Sequence, residues 1–124
     1  MSELTMATLT ILRDYTTQYA DPIHLAAGER FTLTGKADRW DDRADWVWLW
    51  GIAADGREGW IPAEFVEQRD PTTGVARRDY DARELTVKVG DEVESLVAAA
   101  GWHFCRAADG RVGWVPVSHM REPA

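Results

Sequence analysis

The chain contains an internal repeat. Residues 53–62 and 107–116 are identical at eight of ten positions, with the shared pattern Ala-Ala-Asp-Gly-Arg, then Gly-Trp, then Pro. Three further matches precede this one in each copy, and they are Arg13-Asp14-Tyr15 with Arg78-Asp79-Tyr80, Gly28-Glu29 with the similar Gly90-Asp91, and Trp48 with Trp102. A repeat constrains the fold more than any other feature, because each copy must form the same structure. A unit of roughly 50 to 60 residues is too long for a solenoid repeat and suits a very small domain.

The repeat predicts two domains, at 7–67 and 75–122, joined by a short polar linker at 68–74. The spacing of the matched residues makes the first copy longer by 3 residues in one place and by 8 in another. Both additions are polar, so we expect them in loops, the longer one within Gly35–Asp45. Domains of this size bury small cores, and packing of one domain on the other is expected to add stability.

Composition excludes several classes of function. The chain has 21 acidic and 14 basic residues, a net charge of −7, which disfavours a nucleic-acid partner. A single cysteine, Cys105, excludes an internal disulfide and a cysteine-based zinc site, and its place in a strand-like run predicts an inert core thiol. The three histidines lack ligand spacing, and the aspartates of the 35–45 insertion do not match a calcium loop. We therefore expect no metal and no cofactor.

The sequence also predicts where the chain resides. No apolar stretch approaches the length of a membrane span, so no membrane partner is expected. The N-terminal residues do not show a basic region followed by an apolar run, which a secretory signal requires. A reducing cytoplasm is the expected location.

Apolar residues alternate with period two, the pattern of β-strands. The alternating sets are Ile23 and Leu25, Phe31 and Leu33, and Leu85, Val87 and Val89. Aromatic and β-branched runs at 46–52 and 101–106 each lead into Ala-Asp-Gly and a second short strand, which predicts a hairpin in each copy. The nearest helical candidate, Ser95–Ala100, is too short. We predict an all-β fold with two tandem small barrels of about five strands each.

Each copy carries several short motifs. Each motif alone is weak, but their order along the chain, which occurs twice, is a strong signal. In the second copy they are Ala76-Arg77-Arg78-Asp79-Tyr80, Glu84 to Asp91, Trp102, and Gly110 to Met120, and in the first they are Ile11 to Tyr15, Ile23 to Glu29, Trp48, and Gly56 to Glu67. In this order, both copies resemble the Src-homology-3 (SH3) domain. That family folds as a five-stranded barrel and binds proline-rich peptides, and the likeness covers nearly the whole chain.

The resemblance implies a peptide groove in each copy. The first groove would be lined by Tyr15, Trp48, Trp60, Pro62 and Phe65, and the second by Tyr80, Trp102, Trp114, Pro116 and His119. Trp48 and Trp102 are expected to face solvent at the groove edge. Glu84 holds the family's acidic position, where it would pair with a basic ligand residue; Pro22, next to Asp21, holds that place in the first copy. A stiff polyproline II ligand loses little entropy when its rings enter such a groove.

In both copies the chain departs from the family at two groove positions. Arg13 and Arg78 stand where the family has a tyrosine, which places a cation at one wall of a proline pocket. His119 replaces the final groove tyrosine, and Phe65, its counterpart in the first copy, lacks the hydroxyl. The first copy therefore keeps the more complete groove.

These features predict a non-enzymatic adaptor that binds an extended, proline-rich or basic segment of a protein or peptide partner. No catalytic site is expected, because Cys105 and His103 have no third group to orient them. Two alternatives stay open: a structural or oligomerisation module whose aromatic surfaces pack on each other, with a homo-oligomer as the partner, and a bacterial SH3 module that binds cell-wall peptides. Trp60 and Trp114 face a ligand or pack between the two domains, and Trp40 caps the groove or anchors its own loop.

Overall fold

The computed structural model describes residues 8–18, 21–39 and 46–121. Within these ranges the chain forms short β-strands and two single 3-10 turns, with no α-helix. The strands are β1 (Thr8–Ile11), β2 (His24–Leu25), β3 (Arg30–Arg39), β4 (Val47–Ile52), β5 (Glu58–Pro62), β6 (Val66–Asp70), β7 (Thr73–Ala76), β8 (Tyr80–Asp81), β9 (Glu92–Ala99), β10 (Trp102–Ala107), β11 (Val112–Pro116) and β12 (Met120–Arg121). The 3-10 turns are Ala63–Phe65 and Val117–His119. None of the described residues belongs to a helix long and apolar enough to cross a membrane.

The strands form two compact units. The central unit is Tyr19–Arg83, and the terminal unit combines Met1–Gln18 with Glu84–Ala124. The central unit has a five-stranded antiparallel sheet in the order β5-β4-β3-β7-β6, and the terminal unit has one in the order β11-β10-β9-β1-β12. The prediction of an all-β fold with two five-stranded units is confirmed.

The two repeats exchange their first strands. Strand β1 opens the first repeat but pairs with β9 and β12 of the second, and β7 opens the second repeat but pairs with β3 and β6 of the first. The register is equivalent in both units, since Leu9 lies opposite Val93 and Gly74 lies opposite Phe31. The predicted domains, 7–67 and 75–122, describe the repeats of the sequence, and the compact units do not coincide with them.

Side-chain volume explains why each strand fits the sheet it occupies. In the central unit the large Phe31 ring packs against two glycines: a Cβ on Gly74 would lie 2.7 Å from its Cζ, and one on Gly51 would lie 2.9 Å from its Cδ2. The equivalent triad in the terminal core is Leu9, Val93 and Cys105, all buried in one cluster. Leu9 in place of Gly74 would overlap the Phe31 ring, and a glycine in place of Leu9 would leave a cavity.

The exchange continues beyond the first strands. Strand β8 of the second repeat pairs with β2 of the first, and Tyr15 bridges to Val87. The aspartate of each Arg-Asp-Tyr motif closes the exchanged segment: Asp14 accepts a 2.8 Å bond from Val89 N, and Asp79 accepts a 2.9 Å bond from Ala27 N.

Three local expectations differ from the structure. The 68–74 segment, predicted as a linker, runs from β6 into β7, and these strands pair as a tight antiparallel hairpin. Residues 35–39 of the predicted loop insertion instead belong to β3, in which residues 37–39 pair with β4 after a register shift between Leu33 and Ala37. Val89 is 62% exposed although its alternation predicted a buried position. The remainder of the insertion, 40–45 with Trp40, lies outside the described residues.

Candidate functional site

Three rings from both repeats meet in the terminal unit, and we call Tyr15, Trp102 and His119 the terminal ring cluster. Tyr15 meets Trp102 edge to face at 5.7 Å between centroids, and it meets His119 in the same way at 5.3 Å. Tyr15 arrives on the exchanged segment after β1, Trp102 opens β10, and His119 ends the second 3-10 turn. Edge-to-face pairs fix ring orientation as well as burying area. Tyr15 and His119 are half-buried, whereas Trp102 is 8% exposed.

An acidic side chain adjoins this cluster. The Tyr15 hydroxyl donates to Oε1 of Glu84 at 2.8 Å, and the backbone N–H of Gln18 donates to the same oxygen at 2.8 Å. Glu84 is half-buried, and both bonds end on one of its two carboxylate oxygens. The arrangement holds the tyrosine ring in place and puts a negative charge at its hydroxyl end.

A glycine lets the Glu84 segment approach the sheet closely. The N–H of Leu85 donates to the carbonyl of Trp114 at 3.0 Å, directly beside Gly113. A Cβ on Gly113 would lie 2.6 Å from the carbonyl carbon of Glu84, which is backbone that has no freedom to withdraw. The second glycine of the Gly-x-x-Gly-Trp motif is therefore required by the position of Glu84.

A basic side chain lies at the His119 end of the cluster. The backbone N–H of Arg13 donates to the His119 carbonyl at 3.4 Å, and the Arg13 side chain is exposed. The pKa of His119 is lowered, first by its burial and then by the positive charge of Arg13. Ser118 Oγ lies 3.0 Å from His119 Nδ1. The imidazole is thus held neutral over more of the pH range beside a permanent cation.

The central unit builds the equivalent cluster from Trp48, Pro62, Phe65 and Tyr80, which we call the central ring cluster. Phe65 and Tyr80 meet at 5.8 Å between centroids, and Trp48 lies opposite Pro62 in the β4–β5 pairing. The Tyr80 hydroxyl donates to the backbone carbonyl of Trp60 at 2.6 Å. The Arg78 guanidinium carbon sits 4.9 Å from the Phe65 ring centroid, a cation–π distance.

A second aromatic pair adjoins each cluster on the same sheet face. In the central unit Trp50 and Trp60 meet edge to face at 5.1 Å, with the Lys36 ammonium 4.6 Å from the first ring and 5.2 Å from the second. Trp50 Nε1 donates to Glu58 Oε1 at 2.8 Å. Sequence reasoning missed Trp50 and Lys36. The period-two rule would have found Trp50, because it lies two residues from Trp48 on one strand.

In the terminal unit the matching pair is Phe104 and Trp114, with ring centroids 5.3 Å apart. Trp114 is 4% exposed, and its counterpart Trp60 is half-buried. Trp60 and Trp114, which were predicted at equivalent groove positions, therefore differ in solvent exposure.

Two expectations about the grooves need correction. Tyr15 was grouped with Trp48, Trp60, Pro62 and Phe65, but it joins Trp102 and His119, while Tyr80 joins Phe65; the strand exchange carries each tyrosine into the other repeat's unit. Trp48 and Trp102 were expected to face solvent, yet they are 7% and 8% exposed. Pro62 and Pro116 are below 2%.

Two copies of one set of motifs, folded as two five-stranded antiparallel sheets with equivalent ring clusters, agree with the family comparison. The variant SH3 domain family matches residues 11–69 and 74–122. The chain belongs to this family. Both matches follow the sequence repeats, whereas each compact unit takes its first strand from the other repeat. No curated protein matches the chain.

SH3 domains are peptide-binding modules and typically have no catalytic activity. The chemistry of the one thiol agrees with this. Cys105 is fully buried, as predicted, and burial raises its pKa to about 12. Its thiol bonds to the backbone carbonyl of His103 at 3.4 Å rather than to the imidazole. A protonated, inaccessible thiol is a poor nucleophile.

Proposed function

We propose that this tandem SH3 chain is a non-enzymatic interaction module that binds an extended segment of a protein partner at the terminal ring cluster. The observation that carries the proposal is the contact of half-buried Tyr15 with both Trp102 and His119, beside the Glu84 carboxylate. Aromatic edges next to a charged side chain are elements with which a rigid barrel recognises an extended peptide.

The terminal ring cluster is preorganised. Both of its half-buried rings are held by neighbours: Tyr15 by Glu84 through its hydroxyl, and His119 by Ser118 at 3.0 Å. A ligand that docks here does not have to immobilise them, which lowers the entropic cost of binding. We expect an affinity on the order of micromolar for one site of this size.

The ligand class follows from the same geometry. A polyproline II segment has stiff backbone and apolar rings, and it suits the space between aromatic edges. Glu84 uses only Oε1 in its two hydrogen bonds, so Oε2 is not committed to either and favours a basic ligand residue. We therefore propose a proline-containing segment with a lysine or arginine.

The experiment is a proline-rich peptide array followed by calorimetric titration of the tightest peptide. His119→Ala should weaken binding on the order of tenfold, since it removes one wall of the site. Arg106→Ala, which alters an exposed ion pair with Glu94 in the same unit, should leave the affinity unchanged. Full affinity in His119→Ala would refute the proposed site. So would an NMR titration in which the peptide changes backbone amide chemical shifts in the central unit alone.

One observation favours a second role for the central ring cluster. Trp48, Phe65 and Tyr80 are 7%, 7% and 6% exposed, the burial of core residues. We propose that this cluster is structural. Two matched variants separate the roles: Tyr80→Phe leaves the Trp60 carbonyl unpaired and should lower stability by about 1–3 kcal/mol with peptide affinity intact, whereas Tyr15→Phe should weaken peptide binding. Equal effects of both on affinity would contradict the assignment.

A further inference from the structure

In each unit an arginine lies beside the ring that ends the 3-10 turn, His119 in the terminal unit and Phe65 in the central unit. Arg13 lies next to His119 in the terminal unit, and Arg78 lies over Phe65 in the central unit. The members of each pair are equivalent by the repeat, and both arginines are exposed. The same juxtaposition therefore forms twice, once in each unit, and each arginine arrives on the exchanged segment.

Neither charge is neutralised by its sequence neighbour. Asp14 and Asp79 turn to accept the backbone N–H groups of Val89 and Ala27. Among the residues that the structure describes, no carboxylate forms an ion pair with the guanidinium of Arg13 or that of Arg78. Such partners are present within the described ranges for Arg57, Arg69, Arg106 and Arg111.

We propose that Arg13 makes the terminal ring cluster selective for a partner segment that carries an aspartate or glutamate. This inference rests on the proposed function and names the partner's chemistry. The carboxylate of the segment pairs with Arg13 at the His119 end, while its basic residue pairs with Glu84 at the Tyr15 hydroxyl end. A guanidinium suits this role because its donors bind a carboxylate in a fixed two-point geometry.

The cluster also limits the distance between Glu84 and His119, the ring beside which Arg13 lies. His119 lies 5.3 Å from the Tyr15 ring centroid, and Glu84 lies 2.8 Å from the Tyr15 hydroxyl. The separation of His119 and Glu84 is therefore at most roughly 11 Å, which a polyproline II segment covers in about three to four residues at about 3.1 Å each. An acidic residue three or four positions from the basic residue of the ligand should therefore reach the end of the cluster where Arg13 lies.

The test uses the full chain and the tightest proline-containing peptide from the array. The peptide is synthesised with Asp, Asn or Lys three and four residues on either side of its basic residue, and each form is titrated by calorimetry. The protein variants are wild type, Arg13→Ala and Arg13→Glu. The control is Arg121→Glu, a charge reversal at an exposed residue on β12 of the same unit.

Wild type should bind one of the Asp peptides about five- to tenfold more tightly than its Asn form, with the preference reduced in high salt. Arg13→Ala should abolish the preference, Arg13→Glu should transfer it to the Lys peptide, and Arg121→Glu should keep it. Equal binding of the Asp and Asn peptides at a site that still depends on His119 would overturn this inference alone. Absence of binding by every peptide would overturn the proposed function with it.

Discussion

The exchange of first strands can be tested by cysteine cross-linking. Thr8 of β1 lies opposite Glu94 of β9, and both are exposed, so a Thr8→Cys/Glu94→Cys pair should oxidise within one chain. If each repeat kept its own first strand, Thr8 would instead lie opposite Thr32, the equivalent of Glu94. A Thr8→Cys/Thr32→Cys pair is therefore the matched control. A Thr32→Cys/Thr73→Cys pair, opposite each other in β3 and β7, should also close.

The packing indicates how much more stable the exchanged pairing of first strands should be than the unexchanged pairing. Returning the first strands would place Leu9 on the Phe31 ring and leave a cavity beside Val93, which together cost on the order of 5 kcal/mol. The 8–94 disulfide closes a loop of about 86 residues. It should raise the free energy of unfolding by about 4–5 kcal/mol, because it lowers the conformational entropy of the unfolded chain.

The assay is oxidation at low protein concentration, size-exclusion chromatography with light scattering, peptide mapping of the monomer, and denaturation with and without reductant. Monomers in which the 8–32 pair oxidises and the 8–94 pair stays reduced would refute the exchange. An 8–94 disulfide found only between chains would refute exchange within one molecule.

Three further predictions concern single residues. Gly113→Ala should destabilise the chain by about 1–3 kcal/mol because its methyl would lie 2.6 Å from backbone. Gly59→Ala, whose nearest neighbour is the Ile23 Cγ2 methyl at 3.0 Å, should destabilise it less in chemical denaturation. Cys105 should resist iodoacetamide at pH 8 in the folded protein. Because its pKa is about 12 in the folded protein and 9.0 in the unfolded chain, its contribution to folding stability is complete below pH 9 and is lost between pH 9 and about 12. Cys105→Ala should remove this loss of stability. Because the pKa of His119 is lowered from 6.5, its contribution to folding stability is complete above pH 6.5 and is lost as the pH falls through the folded pKa. Arg13→Ala should raise that pKa in an NMR titration, and an unchanged pKa would contradict the effect of the Arg13 charge on His119.

Much of the local structure could be predicted from residue pattern. Alternation identified the buried faces of Ile23, Leu25, Phe31 and Leu33, and all four are at or below 5% exposure. These predictions hold because a strand with one buried face shows a period of two, whatever strand lies beside it. Cys105 was predicted buried for the same reason, and it is.

The composition of the candidate site could be predicted only in part. The resemblance supplied Tyr15, Trp102, His119 and Glu84 as separate positions in two grooves, and the structure brings these four into one cluster. The period-two rule places Trp50 on the face of Trp48, but nothing in the linear order indicates which tyrosine meets which tryptophan. That depends on strand partners that are distant in sequence.

The repeat by itself determined that the chain forms two similar all-β units with aromatic clusters, because two copies of one pattern must bury the same faces. The tertiary structure decided which first strand enters which unit. Both copies offer the same backbone register, so the hydrogen-bond pattern does not distinguish the two pairings. Side-chain volume does, since the Phe31 ring needs Gly74 beside it and the smaller Val93 needs Leu9. Such a match is a property of packed pairs and not of either strand alone.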